Sequence, residues 1–241
     1  MRLLSEIDRI ARLRPLLVAV DFDGTVAPIV AHPELARPDD RILTALLELA
    51  QAPGVTAAVV SGRRREELES LLGDSEGLIL VGEHGSDTGE EVASPPPLDR
   101  TVASLESIAS DFPGAWVEAK RWSAVFHYRG ADPERAPEAV RRVLEGPGAA
   151  PGVTALEGHM IVELHLTEVN KGDAVRRLRD STGAAAVLFI GDDFSDESVF
   201  ETLEEGDVGV KVGPGETAAG LRVDHVNGVA SALDYLAERV G

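Results

Sequence analysis

Short apolar runs recur along this chain with helical patterns between them, and that alternation limits the folds open to it more than any other feature. LLVAV (16–20), VTAAVV (55–60), GLILVG (77–82), AAVLFIG (185–191) and DVGVKVG (207–213) read as strands. DDRILTALLELA (39–50) follows the first, with Leu43, Leu46 and Leu47 at helical spacing. RRREELESLLG (63–73) follows the second, KGDAVRRLRDSTG (171–183) leads into the fourth, and a helix over 196–203 leads into the fifth. Strands alternating with helices at this spacing indicate an α/β fold with a doubly wound, mainly parallel, Rossmann-like sheet. Such sheets bind ligands at the carboxyl ends of their strands.

The rhythm breaks between residue 82 and about residue 165. GEHGSDTGEEVASPPPLDR (82–100) is rich in Gly, Ser, Pro and acid, which marks a loop and a boundary, with SPPPL (94–98) as a stiff connection. A helix (99–111), strands near 115–119 and 123–129, a helix (133–145) and strands near 152–156 and 160–166 follow. This order predicts a small α+β module inserted in the parallel core. The core takes residues 1–84 and 168–241 and the module 85–167, with GEHG (82–85) and TEVNKG (167–172) as the two crossings. In the first crossing, His84 is either a hinge-packing residue or a substrate contact.

The chain has 241 residues, ample for such a core. Its 42 acidic residues against 23 basic ones leave a net charge of −19, a poor basis for binding nucleic acid or an anionic membrane. Any phosphate site must therefore be made locally. The excess acid reads as a solvated, self-repelling surface, and adaptation to a salty cytosol would look the same. No apolar run is long enough to span a bilayer, and the N-terminal segment interleaves charge with apolar residues as a short amphipathic helix rather than a signal peptide. A cytoplasmic monomer acting on a small molecule is expected. With no cysteine, oxygen ligands and six histidines remain for any metal.

Polar groups gather where the core strands end. Asp21 and Asp23 close the first run, Ser61 closes the second, Lys171 opens a helix, and Asp192, Asp193 and Asp196 follow the fourth run. Carboxylates from different strands form an oxygen-only cage that suits Mg2+ and not zinc. Ser61 and Lys171 supply donors for phosphoryl oxygens. One carboxylate can attack phosphorus, and the other can serve as acid and then base. Asp193 and Asp196 also read as N-cap or loop acids.

DFDGT (21–25), SGR (61–63), NKG (170–172) and GDDFSD (191–196) occur in the order of the haloacid dehalogenase (HAD) superfamily signature, and the chain resembles those phosphotransferases. The resemblance implies that Asp21 is nucleophile and Mg2+ ligand, and that Asp23 is acid and base with its carbonyl on the metal. It implies that Ser61 and Lys171 hold the phosphoryl group, with Gly62 and Arg63 beside the substrate. Asp192 would complete the metal shell, supported by Asp193 and Asp196. The inserted module would then be the HAD-like cap.

That module resembles the cap of trehalose-6-phosphate phosphatases. Their V-E-x-K-x-x-S-x-x-x-H-Y-R stretch is matched by Glu118, Lys120, Ser123, His127, Tyr128 and Arg129, and their G-K-x-x-x-E by Gly158 and Glu163. The similarity spans essentially the whole chain. It implies that Glu118, Lys120 and Glu163 hydrogen-bond glucose hydroxyls with Arg129 in support, and that the chain hydrolyses trehalose 6-phosphate through an aspartyl-phosphate. Two positions depart from the pattern: His159 stands at the family's Lys, as a shorter donor without fixed charge, and His165-Leu166 stands at its Arg-Pro. His159 reads equally as a substrate contact or as a plain strand histidine. The departures keep open a phosphatase for another glycosyl or polyol phosphate. A phosphomutase and a non-catalytic sugar-phosphate sensor are the remaining alternatives, and the intact Asp23 argues against the sensor.

Overall fold

The computed structural model of the chain describes residues 2–30, 32–88, 98–120, 122–158, 160–166 and 170–241. In chain order the elements are α1 (Arg2–Ile10), β1 (Leu16–Val20), α2 (Asp40–Gln51), β2 (Val55–Val60), α3 (Arg65–Leu72), β3 (Ile79–Val81), α4 (Leu98–Ala109), β4 (Trp116–Ala119) and β5 (Ser123–His127). Next come α5 (Ala136–Glu145), β6 (Thr154–Gly158), β7 (Ile161–His165), α6 (Lys171–Thr182), β8 (Ala186–Gly191), α7 (Glu197–Phe200), β9 (Val208–Val212), β10 (Leu221–Val223) and α8 (Val226–Val240). They form two compact units, Met1–Gly89 with Val169–Gly241, and Glu90–Glu168.

The first unit holds a six-stranded sheet in the order β10-β9-β8-β1-β2-β3, parallel throughout. Helices cover both faces, which is why the core strands read as unbroken apolar runs. Leu16, Val18 and Val20 of β1 pack with Ile42, Leu46 and Leu49 of α2 and with Val229, Leu233 and Leu236 of α8. Leu17 and Ala19 point the other way, towards Ala174 and Val175 of α6 and Val199 and Phe200 of α7. The buried stripe of α2 is Ile42, Ala45, Leu46 and Leu49, one residue round from the Leu43–Leu47 side that the spacing suggested. Asp39 caps this helix through the amides of Arg41 and Ile42.

The second unit is a four-stranded antiparallel sheet, β4-β5-β7-β6. Phe126, Val162 and Leu164 face α4 and α5, where Leu105, Ile108, Ala139 and Val143 complete a separate core. Residues paired across neighbouring strands share a face. The other face of the sheet therefore carries Trp116, Glu118, Ser123, His127 and Glu163, and Lys120 continues it past β4.

Three features differ from the expectations. The expected helix over 196–203 is a 3₁₀ turn, Phe194–Asp196, followed by the single turn of α7, because Asp196 turns its side chain back into the core. The core runs past residue 84: Gly82 and Asp87 exchange backbone hydrogen bonds, and Asp87 Oδ2 accepts from the Arg65 amide, which keeps the intervening loop on the parallel unit. Finally, β10 forms the edge of the sheet beside β9, and α8 runs back across the face that α2 also covers. Among the described residues no helix is long and apolar enough to cross a membrane.

Candidate active site

β1 and β8 lie side by side where the strand order reverses, the position at which an open α/β sheet leaves a crevice beyond its carboxyl ends. Asp21 leaves β1 there, Ser61 leaves β2, and Asp192 leaves β8. Asn170 starts α6 with a reciprocal capping box to Asp173, which sets Lys171 as the first helical residue.

Lys171 is buried and bridges two carboxylates, donating from Nζ to Asp21 Oδ1 at 2.6 Å and to Asp196 Oδ1 at 2.7 Å. These residues are 150 and 25 positions away in sequence. Burial works to lower the lysine's pKa, but Asp196 and Asp21 outweigh it and hold the ammonium above the ordinary lysine range. Asp21 moves up instead: burial raises its pKa well above the usual carboxylate value, Lys171 pulls against that, and Asp196 and Asp192 add to it. Burial, then Asp196 and Asp193, push Asp192 up to about 6.

One ammonium thus serves several acids. Asp21, Asp192 and Asp196 each place a carboxylate oxygen within 4.8 Å of the others. Asp192 Oδ1 is buried and accepts no hydrogen bond among the described residues. An oxygen-only set with an orphaned buried acceptor and raised carboxylate pKa values fits a hard divalent cation. Gly24 makes the approach possible: its φ is 83°, and a Cβ there would run into the Asp192 carboxylate.

The acids of GDDFSD divide their work. Asp193 is exposed and caps the 3₁₀ turn through the Phe194 amide, and it lies outside the cluster of Asp21, Asp192 and Asp196. Asp196 is fully buried, with one oxygen on Lys171 and the other on the Asp193 amide. Of the three, Asp192 alone leaves a buried oxygen uncommitted.

Asp23 is held by Arg63, whose Nε and one terminal nitrogen donate to its two carboxylate oxygens at 2.7 Å each. Arg63 also donates to the Pro33 carbonyl and stacks over Phe22. The residue expected beside the substrate is thus committed to the expected acid. Ser61 is buried, and its Oγ accepts from the Arg63 amide at 3.2 Å. Gly62 is needed where it stands because the His84 ring occupies the space a Cβ would fill. The His84 amide donates to the Ser61 carbonyl, tying the loop after β3 to the end of β2.

Sequence reasoning missed Lys211. It is buried in β9, donates to the backbone carbonyl of Asp192, and lies 4.0 Å from Glu197. A lone charge inside the apolar run VGVKV was the signal.

In the inserted unit, Glu163 Oε1 accepts from Lys120 at 3.0 Å and from Ser123 at 2.6 Å, and His165 lies 3.6 Å from it. Glu118 pairs with His127 at 3.0 Å. Arg129 sits in an exposed turn after β5 and pairs with none of these acids among the described residues. His159 lies outside the described residues.

The parallel core with acids at its switch point defines a HAD-like α/β protein. The family model described as trehalose-phosphatase matches residues 19–227. A bifunctional trehalose-6-phosphate synthase/phosphatase of Thermoproteus tenax is 36% identical over 94% of the chain, which spans only 32% of that longer protein. The trehalose-6-phosphate phosphatase of Escherichia coli is 30% identical over 90% of the chain and 84% of its own length. The C-terminal domain of the Candida albicans trehalose-6-phosphate phosphatase shares the fold, with a TM-score of 0.81 at 24% identity over 99% of this chain and 97% of that one. The chain belongs to the trehalose-phosphatase family.

Proposed function

We propose that the chain is a Mg2+-dependent phosphatase that hydrolyses trehalose 6-phosphate to trehalose and phosphate through a phosphoenzyme on Asp21. The observation that carries this reading is the buried Lys171 bridge between Asp21 and Asp196, with Asp192 alongside. Mg2+, held by Asp21 and Asp192 with Asp196 nearby, supplies charge neutralisation for the phosphoryl oxygens.

Lys171 fixes Oδ1 of Asp21, leaving Oδ2 as the oxygen that attacks phosphorus. As that bond forms, the bond from phosphorus to the sugar oxygen breaks, and the Asp23 carboxyl gives its proton to the leaving alkoxide. Asp23, now a carboxylate, takes a proton from water; the water oxygen bonds to phosphorus, phosphate departs, and Asp21 is restored. Arg63 orients Asp23 and must release one of its oxygens for this proton traffic. Ser61 and Lys171 donate to the phosphoryl oxygens. Glu118, Lys120 and Glu163 of the inserted unit take the sugar hydroxyls, since paired carboxylates and an ammonium match vicinal diols.

The test is phosphate release from trehalose 6-phosphate, sucrose 6-phosphate and glucose 6-phosphate, each with Mg2+ and with EDTA. Trehalose 6-phosphate with Mg2+ is expected to give the highest kcat/KM, and Asp21→Asn to abolish release. Normal release by Asp21→Asn would overturn the mechanism, and preference for another ester would overturn the substrate.

A further inference from the structure

Trp116 is the first residue of the edge strand β4, and it is 53% exposed while Phe126 on the neighbouring strand β5 is buried. A lone exposed apolar side chain needs no explanation. This one, however, is held in a fixed attitude. Its ring lies flat against the imidazole of His127, with centroids 3.8 Å apart and planes 2° from parallel. His127 is fixed in turn by Glu118, whose Oε2 lies 3.0 Å from its Nε2. The histidine covers one face of the indole, and more than half of the tryptophan surface stays exposed.

The register determines what lies beside it. Alternate residues of a strand share a face, so Trp116, Glu118 and Lys120 stand in a row at spacings of about 7 Å. In WVEAK the sheet face that α4 and α5 do not cover therefore presents an aromatic plate, a carboxylate and an ammonium in sequence. Glu163 and Ser123 extend the polar end of the row through their bonds to each other and to Lys120. The row is about 14 Å long, which suits two linked rings better than one.

We propose that Trp116 is the stacking platform for a pyranose ring of the substrate, and that the row from Trp116 to Lys120 selects a disaccharide phosphate over smaller esters. A pyranose has hydroxyls around its rim and axial C–H groups on its faces. The C–H face takes an indole, whose π cloud and large apolar area suit it, while the rim reaches the carboxylate and ammonium next along the strand. His127 then acts as the backing that keeps the indole flat and Glu118 in place. This inference rests on the phosphatase reading for its substrate, but the binding surface can be read without turnover.

The experiment compares Trp116→Leu and Trp116→Phe with the unaltered protein on trehalose 6-phosphate and on p-nitrophenyl phosphate. Stacking of this kind predicts that Trp116→Leu raises KM for trehalose 6-phosphate about tenfold with a much smaller change in kcat. Trp116→Phe, which keeps a ring, recovers most of the loss. The ratio of kcat/KM for the two esters falls about tenfold in Trp116→Leu. Tryptophan emission is also followed as trehalose 6-phosphate is titrated onto Asp21→Asn with Trp122→Phe, in which Trp116 is the sole tryptophan. A saturable change is expected. Equal losses on both esters, an unchanged KM, or an emission that does not respond to the sugar phosphate would each overturn the platform, even if the variants are less stable. If the unaltered protein releases no phosphate from trehalose 6-phosphate, the phosphatase reading fails, and the emission titration still decides whether Trp116 meets the sugar.

Discussion

Without a divalent cation this protein should lose stability as pH rises from 4 to 7, because the cluster at the end of β1 and β8 then holds more carboxylate charge than Lys171 can offset. Asp192 has a folded-state pKa of about 6 against 3.8 in the unfolded chain. Between those values the folded protein keeps a proton that the unfolded chain releases, so stability falls as pH rises through this window. Asp21, raised for the same reason of burial, acts with the same sign. Lys171 is raised above its unfolded value, so its contribution is fully present at these pH values and is lost only in strong alkali. The Asp192 shift alone corresponds to about 3 kcal/mol, and its partial exposure reduces this to about 2 kcal/mol. The assay is urea unfolding followed by circular dichroism at pH 4, 5, 6, 7 and 8, in EDTA and in Mg2+. In EDTA the unfolding free energy should drop by about 2 kcal/mol across the window. Mg2+ should restore it at pH 7 and do little at pH 4, since a protonated acid is no ligand. Asp192→Asn removes the penalised charge, so it should exceed the unaltered protein in stability at pH 8 in EDTA and respond weakly to Mg2+. A flat or rising profile in EDTA, or an Asp192→Asn protein no more stable than its parent, would refute the reasoning.

Arg63→Lys keeps the charge beside Asp23 but loses the two-pronged grip, and it should lower kcat for trehalose 6-phosphate about tenfold or more. The loss should be smaller for p-nitrophenyl phosphate, whose leaving group needs no proton, and steady-state kinetics on the two esters checks this. Lys211→Met leaves the Asp192 carbonyl and Glu197 without their shared cation, and should cost about 2 kcal/mol in urea unfolding.

The parallel core was legible because each of its strands is buried on both faces. LLVAV supplies both cores at once, Leu16 and Val18 to one and Leu17 and Ala19 to the other, so no polar residue interrupts it. The closing segment was less legible. His225 offers no side-chain cap, and Gly228 falls within the first turn of α8, so the usual start signal is missing. Its spacing of Val229, Leu233, Leu236 and Val240 is nevertheless helical, and all four are buried. The shortened α7 could not be foreseen from pattern alone, since the carboxylate of Asp196 is claimed by Lys171, 25 residues earlier.

The site shows the same division between what pattern reveals and what packing decides. DFDGT and GDDFSD mark where acids gather, but not which acid faces which. The side chains of Asp192, Asp193 and Asp196 leave one short turn in different directions: towards Asp21, into a cap, and onto a buried ammonium. Only the three-dimensional turn separates an acid of the buried cluster from a cap. Composition held one clue to the cations. Just three of the 23 basic residues are lysines, Lys120, Lys171 and Lys211, and each lies beside acidic groups with little exposure, at 13%, 2% and 6% of the side chain. An ammonium is a compact point charge with three donors, able to sit between two carboxylates where the wide planar fork of arginine would force them apart. In a chain that otherwise uses arginine for its positive charge, a lysine is itself a marker of an enclosed acid cluster. On that logic Lys211 belongs with Lys171, which accounts for a charged residue in the middle of an apolar strand.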